Sequence, residues 1–285
     1  MLNRNFSDFK FQHKNNKNQI LYTSRKTKSD REVLNLIDNF LNIKNSFIFE
    51  SVEKGKIRGR YTIFGKNPDK IWEFNNKNSY LITNKAKKKI KGNPEKIIEK
   101  IIENFKFKTP TGLPPICSLI SGYFSYDSIR YIEKIPNKCK DDLKLPDVRL
   151  LRPRTLVIHD NLKKKIFYII NTFNDEKIFN YKVKYLEIES EINDLLIQAS
   201  LEKNNSYKVT KNNIEVKSNT TKNKFLKMVN KAKKYIKIGD IFQVVLSQRF
   251  EAKLTKRPLE IYKKLRATNP SPFMYFFNFK DFQII

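Results

Sequence analysis

Ile238-Gly239-Asp240-Ile241-Phe242-Gln243-Val244-Val245-Leu246-Ser247-Gln248-Arg249-Phe250 is the most informative stretch of this chain. Gly239 suits the stop of a preceding helix, and the β-branched and aromatic run after Asp240 predicts a strand over residues 241–250. Side chains alternate in direction along a strand. Phe242, Val244, Leu246 and Phe250 then share one face, which is expected to be core. Ile241, Gln243, Val245, Ser247 and Arg249 share the other. That second face is mixed. It fits either a partly exposed sheet surface with its polar groups in water or the wall of a cleft.

Moving upstream, Thr220 or Thr221 is placed to cap a helix carrying Phe225, Met228, Val229, Ala232 and Ile236. Residues 204–220 are polar and rich in Lys and Asn, as a linker is. Before them, Ile178, Tyr181, Tyr185, Ile188, Ile192 and Leu195 recur in steps of three and four. This is one face of a long helix, packed on its own domain in preference to a coiled coil. Residues 154–159 and 165–170 read as paired strands, with loop over 136–150. Residues 116–126 read as a buried strand, and Asp127 as the cap of a short helix after it. Residues 94–105 form an amphipathic helix with Ile97, Ile98, Ile101 and Ile102 on one side. Strands are expected at 46–51, 60–64, 70–75 and 79–83. A helix starting near Ser29 carries Val33, Leu36, Ile37 and Phe40. Residues 1–20 are expected to be a weakly ordered start. The mixture predicts an α+β fold of layered antiparallel sheets with flanking helices. The organisation expected is an N-terminal domain over 20–170, a connecting helix and linker over 171–219, and a further domain starting at 220–285.

Composition narrows the function. A hydrophobic fraction of 39% over 285 residues is too apolar for a disordered chain and large enough for a sizeable core. No apolar run is long enough to span a bilayer, and the N-terminus lacks the apolar segment of a signal peptide, which points to a cytoplasmic protein without a membrane partner. The net charge of +29 raises nucleic acid as a partner. Only 12 of the 58 basic residues are Arg, however, and the Lys excess comes with many Asn and Ile, as A/T-rich codons dictate. The charges are also dispersed, with Glu95, Glu99, Asp141 and Asp142 between the basic runs. A solvated surface is therefore expected, and no nucleic-acid partner. Cys117 and Cys139 are too few for a disulfide framework, and with His13 and His159 they form no cluster with metal-ligand spacing. His159, at a strand end running into a turn, is a poor centre for a catalytic triad.

Several blocks carry a family resemblance. Phe49-Glu50-Ser51-Val52-Glu53, with Gly55 and Gly59-Arg60-Tyr61, is similar to an "ESVEGG…GRY" signature, with Lys54 and Arg58 as departures from it. Gly122-Tyr123-Phe124-Ser125-Tyr126-Asp127 and Arg130-Tyr131-Ile132-Glu133-Lys134-Ile135-Pro136 resemble "GYLGYDxVRYIEKLP". Asn269-Pro270-Ser271-Pro272-Phe273-Met274 resembles "NPSPYM", with Phe273 in place of Tyr. With the opening stretch, these resemble the anthranilate synthase component I family of chorismate-utilising enzymes. The quoted stretch 238–250 then resembles the first strand of the chorismate-binding domain.

The resemblance implies formation of anthranilate and pyruvate from chorismate and ammonia, with Mg²⁺ as cofactor and a glutamine amidotransferase subunit (component II) as partner. Related isochorismate synthases have a water-activating Lys where Gln243 stands; neutral Gln243 fits the ammonia-using branch and is a possible active-site wall. No catalytic or metal-ligating residue is otherwise assignable, because the family places them mainly in a C-terminal half expected beyond residue 285. By the same resemblance Ser51, Pro272, Phe273 and Met274 contact L-tryptophan as feedback inhibitor. Glu50 is either structural or orients the ligand amine. The strands at 241–250 and 273–279 are expected to lack partners. An aminodeoxychorismate synthase, or a non-catalytic tryptophan-binding regulatory module, are the alternatives.

Overall fold

The computed structural model describes residues 2–29, 31–51, 59–76, 78–201 and 214–285. Val52, Glu53, Lys54, Gly55 and Arg58 of the N-terminal signature, and most of the expected linker, lie outside these residues. The chain divides into two compact units, one of residues 1–203 with 262–285 and one of residues 204–261.

The first unit is built on a ten-stranded sheet whose described pairings are all antiparallel. In chain order its elements are α1 (Phe6–Lys14), β1 (Gln19–Lys26), α2 (Arg31–Phe40), β2 (Ser46–Glu50), β3 (Tyr61–Asn75), β4 (Asn78–Ile82), β5 (Lys87–Ile90), α3 (Pro94–Asn104), β6 (Ser121–Phe124), β7 (Val148–Asp160), β8 (Lys165–Thr172) and α4 (Tyr181–Ser200). The second unit holds β9 (Val216–Ser218), α5 (Lys222–Lys237) and β10 (Phe250–Ala252). Helix α6 (Pro258–Thr268) starts in the second unit and ends in the first, which β11 (Met274–Asn278) and β12 (Gln283–Ile284) complete. The strand order is β1-β8-β7-β3-β2-β11-β12, with β4 and β5 extending from β3 and β6 pairing with β7.

Cross-strand registers sort the core. Tyr22, Ile169, Leu156, Gly65 and Phe47 fall in one row across five strands. Phe277 of β11, opposite Phe47, extends the row, and Leu113, Cys117 and Phe279 belong to the same buried cluster. The opposite face carries Thr155, Tyr168 and Ile170 and packs against α4, whose buried Tyr185, Ile188, Ile192 and Leu195 follow the predicted helical spacing. Helix α2 buries the expected Val33, Leu36, Ile37 and Phe40 and packs on α4. Each such side chain contributes roughly 1.5–3 kcal/mol by leaving water. The helix caps follow the rule for Asn and Thr: Asn93 opens α3, Asn180 opens α4, and Thr221 Oγ1 accepts from the Lys224 N–H at 3.3 Å to open α5.

The α+β class with flanking helices is found as expected, but several local readings differ. Residues 1–20 are not a loose start. Asn5 caps α1, and Phe9 and His13, one turn apart, are buried beside Tyr181 and Tyr185 of α4. Only Phe9 of this pair is apolar, and a single apolar residue between Asp8 and Lys10 gives no helical periodicity to read. The strands expected at 60–64 and 70–75 are one strand, β3, with a register shift between Pro68 and Lys70 where proline has no N–H to pair. The buried strand expected over 116–126 shrinks to β6. A 3₁₀ turn over Pro115–Cys117 precedes β6, and Phe124 and Tyr126 are exposed. Asp127 does not cap the turn after β6; it lies inside it and pairs with Arg130 at 2.8 Å.

The stretch 238–250 departs furthest from the expected structure. Residues 241–249 are not a strand; only β10 forms, at Phe250, paired with β9. The face expected to be core is exposed instead, with Phe242 fully open and Phe250 60% exposed. Among the described residues no strand pairs with 241–249, and an extended segment without a ladder partner is not held as a strand. The segment at 273–279, also expected to lack partners, does have them: β11 pairs with both β2 and β12.

Candidate functional site

The pairing of β2 with β11 builds the site. Glu50 stands opposite Met274 and Phe49 opposite Tyr275, so the residue after β2 and the residues before β11 are brought side by side. Ser51, Pro272, Phe273 and Met274, far apart in sequence, line one cavity of about 500 Å³ with Glu50. Phe49, Tyr61 and Tyr275 add aromatic walls, and Gly59 and Arg60 close another side. Met274 is buried, Pro272 half-buried, and Phe273 stands 84% exposed at the edge. Such a volume and an aromatic lining with few polar groups suit a small planar ligand.

Three polar groups differ in their availability. Ser51 Oγ is buried and has no hydrogen-bond partner among the described residues. A buried hydroxyl in this state favours a ligand able to pair with it. Arg60 is engaged. Its Nη2 donates to Asp160 at 2.9 Å, and its guanidinium lies 4.8 Å from the Tyr61 ring centroid. Burial works against the charged Asp160 carboxylate, but hydrogen bonds from Arg60 and from the Lys163 and Leu162 N–H groups hold its pKa below the usual range. Glu50 is engaged too. Arg266 Nε donates to its two oxygens at 2.8 and 2.9 Å, and Tyr262 Oη donates to Oε1. Burial, followed by the Glu50 charge, pushes the Tyr262 phenol far up, so it stays a donor. With both oxygens occupied, Glu50 anchors residues 262–268 of α6 to the end of β2.

Tyr262 and Arg266, one helical turn apart, are partners of Glu50 that the motifs do not reveal. Their signal was Pro258 opening a run with Leu259, Tyr262 and Leu265 at helical spacing. Gln243 belongs to the second unit and has an exposed side chain on irregular backbone. Among the described residues no group of three or more His, Cys, Asp or Glu side chains is placed to hold a metal ion. Cys117 is buried and Cys139 exposed, both as free thiols. Among the described residues no helix is long and apolar enough to cross a membrane.

Comparison with known proteins adds a lineage to this geometry. A family profile described as chorismate binding enzyme matches residues 44–285. Anthranilate synthase component 1 of Acetivibrio thermocellus is 38% identical over 257 residues, covering 88% of this chain and 52% of that protein. The namesake from Cereibacter sphaeroides is 32% identical over 287 residues, covering 98% and 57%. In structure, the chain is similar to the crystal structure of anthranilate synthase component I from Streptococcus pneumoniae TIGR4, with a TM-score of 0.66 and 29% identity. That match covers 80% of this chain and 50% of the other. The chain spans about half the length of the curated relatives it matches.

Proposed function

This chain belongs to the family of chorismate binding enzymes, and from that membership we propose that it is the N-terminal part of an anthranilate synthase component I. In this reading the complete enzyme works in the cytoplasm and forms anthranilate and pyruvate from chorismate and ammonia. A glutamine amidotransferase subunit supplies the ammonia, and Mg²⁺ serves the chemistry. In this reading the Mg²⁺ ligands belong to the C-terminal half of the family's fold, as the resemblance implies. Gln243 remains a candidate wall of the chorismate site, and residues 220–285 the start of the chorismate-binding domain after the 20–170 domain and the 171–219 connection.

The cavity under the β2–β11 pairing is the proposed site of L-tryptophan feedback inhibition. One observation carries this. Ser51 and Pro272–Met274 meet in a single aromatic-walled cavity, with the Ser51 hydroxyl buried and unpartnered among the described residues. An indole fits between Met274 and the rings, while the hydroxyl bonds the zwitterionic end. Phe273 supplies apolar surface without the hydroxyl of the related Tyr. Glu50 holds the wall through Arg266 and does not reach for the ligand amine.

The test is tryptophan inhibition of an intact homologous enzyme carrying this N-terminal half. Ser51→Ala is expected to raise the inhibition constant about ten- to a hundredfold, the roughly 1.5–3 kcal/mol of one hydrogen bond to a charged group, with chorismate turnover nearly unchanged. Met274→Thr is expected to weaken inhibition as well. Unchanged inhibition in Ser51→Ala, or a matching loss of turnover, counts against a dedicated regulatory site.

A further inference from the structure

A second cavity of about 500 Å³ lies in the first unit, between helix α3 and the sheet around β3 and β7. Helix α3 covers a core cluster of Trp72, Phe74, Val148 and Leu150, yet Ile97, Ile98 and Ile101 on its apolar side are only half-buried. The space left under the helix is walled by Trp72, Ile97, Ile101 and Ile120. An apolar body placed against these side chains would remove their exposed surface from water, which is favourable.

The polar part of the lining is unbalanced in charge. Four cations border the cavity, Lys70, Lys91, Lys100 and Arg152, against one carboxylate, Asp175. Asp175 is already spent: Lys70 pairs with it at 2.5 Å and Arg152 at 2.8 Å. Arg152 also binds Asp69. Lys91 and Lys100 make no ion pair among the described residues, and the acids of α3, Glu95, Glu99 and Glu103, do not line the space. An apolar wall bordered by two lysines that have no ion-pair partner among the described residues matches one kind of occupant.

We propose that this cavity binds a small amphipathic carboxylate, its apolar body under α3 against Trp72 and its anionic end at Lys91 and Lys100. The site is separate from the Ser51 cavity, with no lining residue in common, and does not depend on how that cavity is used.

The chain contains a single tryptophan, Trp72, so its emission reports this cavity directly. Octanoate serves as the probe, with octanol and octylamine as neutral and cationic controls of the same chain length. Octanoate is expected to shift and saturate the Trp72 emission, and both controls to bind about tenfold or more weakly, as charge complementarity requires. The double reversal Lys91→Glu with Lys100→Glu touches only exposed side chains. It is expected to weaken octanoate about tenfold or more, at low salt especially, without changing the circular dichroism spectrum. Ile97→Phe, which fills the space from α3, is expected to remove the response. Equal affinities for the three probes, a non-saturating octanoate response, or an octanoate curve left unmoved by the charge reversal would overturn the assignment.

Discussion

At the residue scale, two contacts are expected to dominate β2, one near its start and one at its end. Gly65 sits opposite Phe47, and a methyl group at residue 65 would overlap the Phe47 ring. Phe47 cannot yield easily, because Phe49 and Phe277 hold its ring at 5.1 and 5.6 Å between centroids. Gly65→Ala is expected to cost roughly 1–3 kcal/mol, an overpacking penalty, and Phe47→Leu in the same chain to return part of it. Equilibrium urea midpoints measure both. Glu50 presents the electrostatic counterpart. Its side chain is 1% exposed, so Glu50→Leu strands the Arg266 cation beside an apolar wall. The expected loss is roughly 3–5 kcal/mol, whereas Glu50→Leu with Arg266→Leu loses less, because the desolvated charge is gone and only the buried Tyr262 hydroxyl is left without its acceptor. Motifs made Ser51 and Pro272–Met274 legible in the sequence, since each lies in a local block. The Glu50–Arg266 pair was not legible. Nothing local says which of many acids a helical Arg will meet across more than two hundred positions.

At the element scale, legibility follows the reach of the forces. Helices α2, α3 and α4 and the β7–β8 hairpin were readable because their periodicity is carried inside each element. The alternation over 241–249 does not make a strand, because a strand needs a neighbour and alternation alone does not supply one. Strand β7 also has a chemistry that its sequence did not disclose. Arg149, Arg152 and Arg154 each recruit carboxylates from elsewhere: Glu73 and Asp281, Asp69 and Asp175, and Glu176. Burial opposes the charged form of Asp175, but hydrogen bonds from Arg152 and Lys70 prevail and lower its pKa to about 2. A carboxylate depressed in the folded state stabilises above its unfolded pKa, roughly 3.9, and the contribution is lost as pH falls toward 2. The difference in thermal midpoint between the native chain and Asp175→Asn is therefore expected to be largest near neutral pH and to close on acidification. Asp175 is 41% exposed, so solvent screening keeps the effect small. A difference that grows in acid would contradict the assignment of Asp175 as the ionised partner.

At the scale of the whole molecule, the two units differ in what holds them. In the first, β7 and β8 are buried along nearly their full length and Trp72 lies in a core cluster. In the second, α5 has no buried residue, and Leu226, Ile236, Phe242 and Val245 are exposed. Burial of apolar surface is the main favourable term in folding, so residues 214–261 have little of their own to offset the entropy of ordering. They are expected to lose structure at lower urea than the sheet. Two probes separate the events. Trp72 emission follows the first unit alone, while far-ultraviolet circular dichroism also counts the sixteen-residue α5. The dichroism curve is expected to begin its fall first and the emission curve to follow, which breaks two-state behaviour. Amide exchange should show the same order, with α5 amides unprotected before those of β3, β7 and β8. Coincident curves, with equal protection in α5 and β7, would mean that contacts beyond those of residues 214–261 stabilise α5 as strongly as the sheet stabilises its own strands.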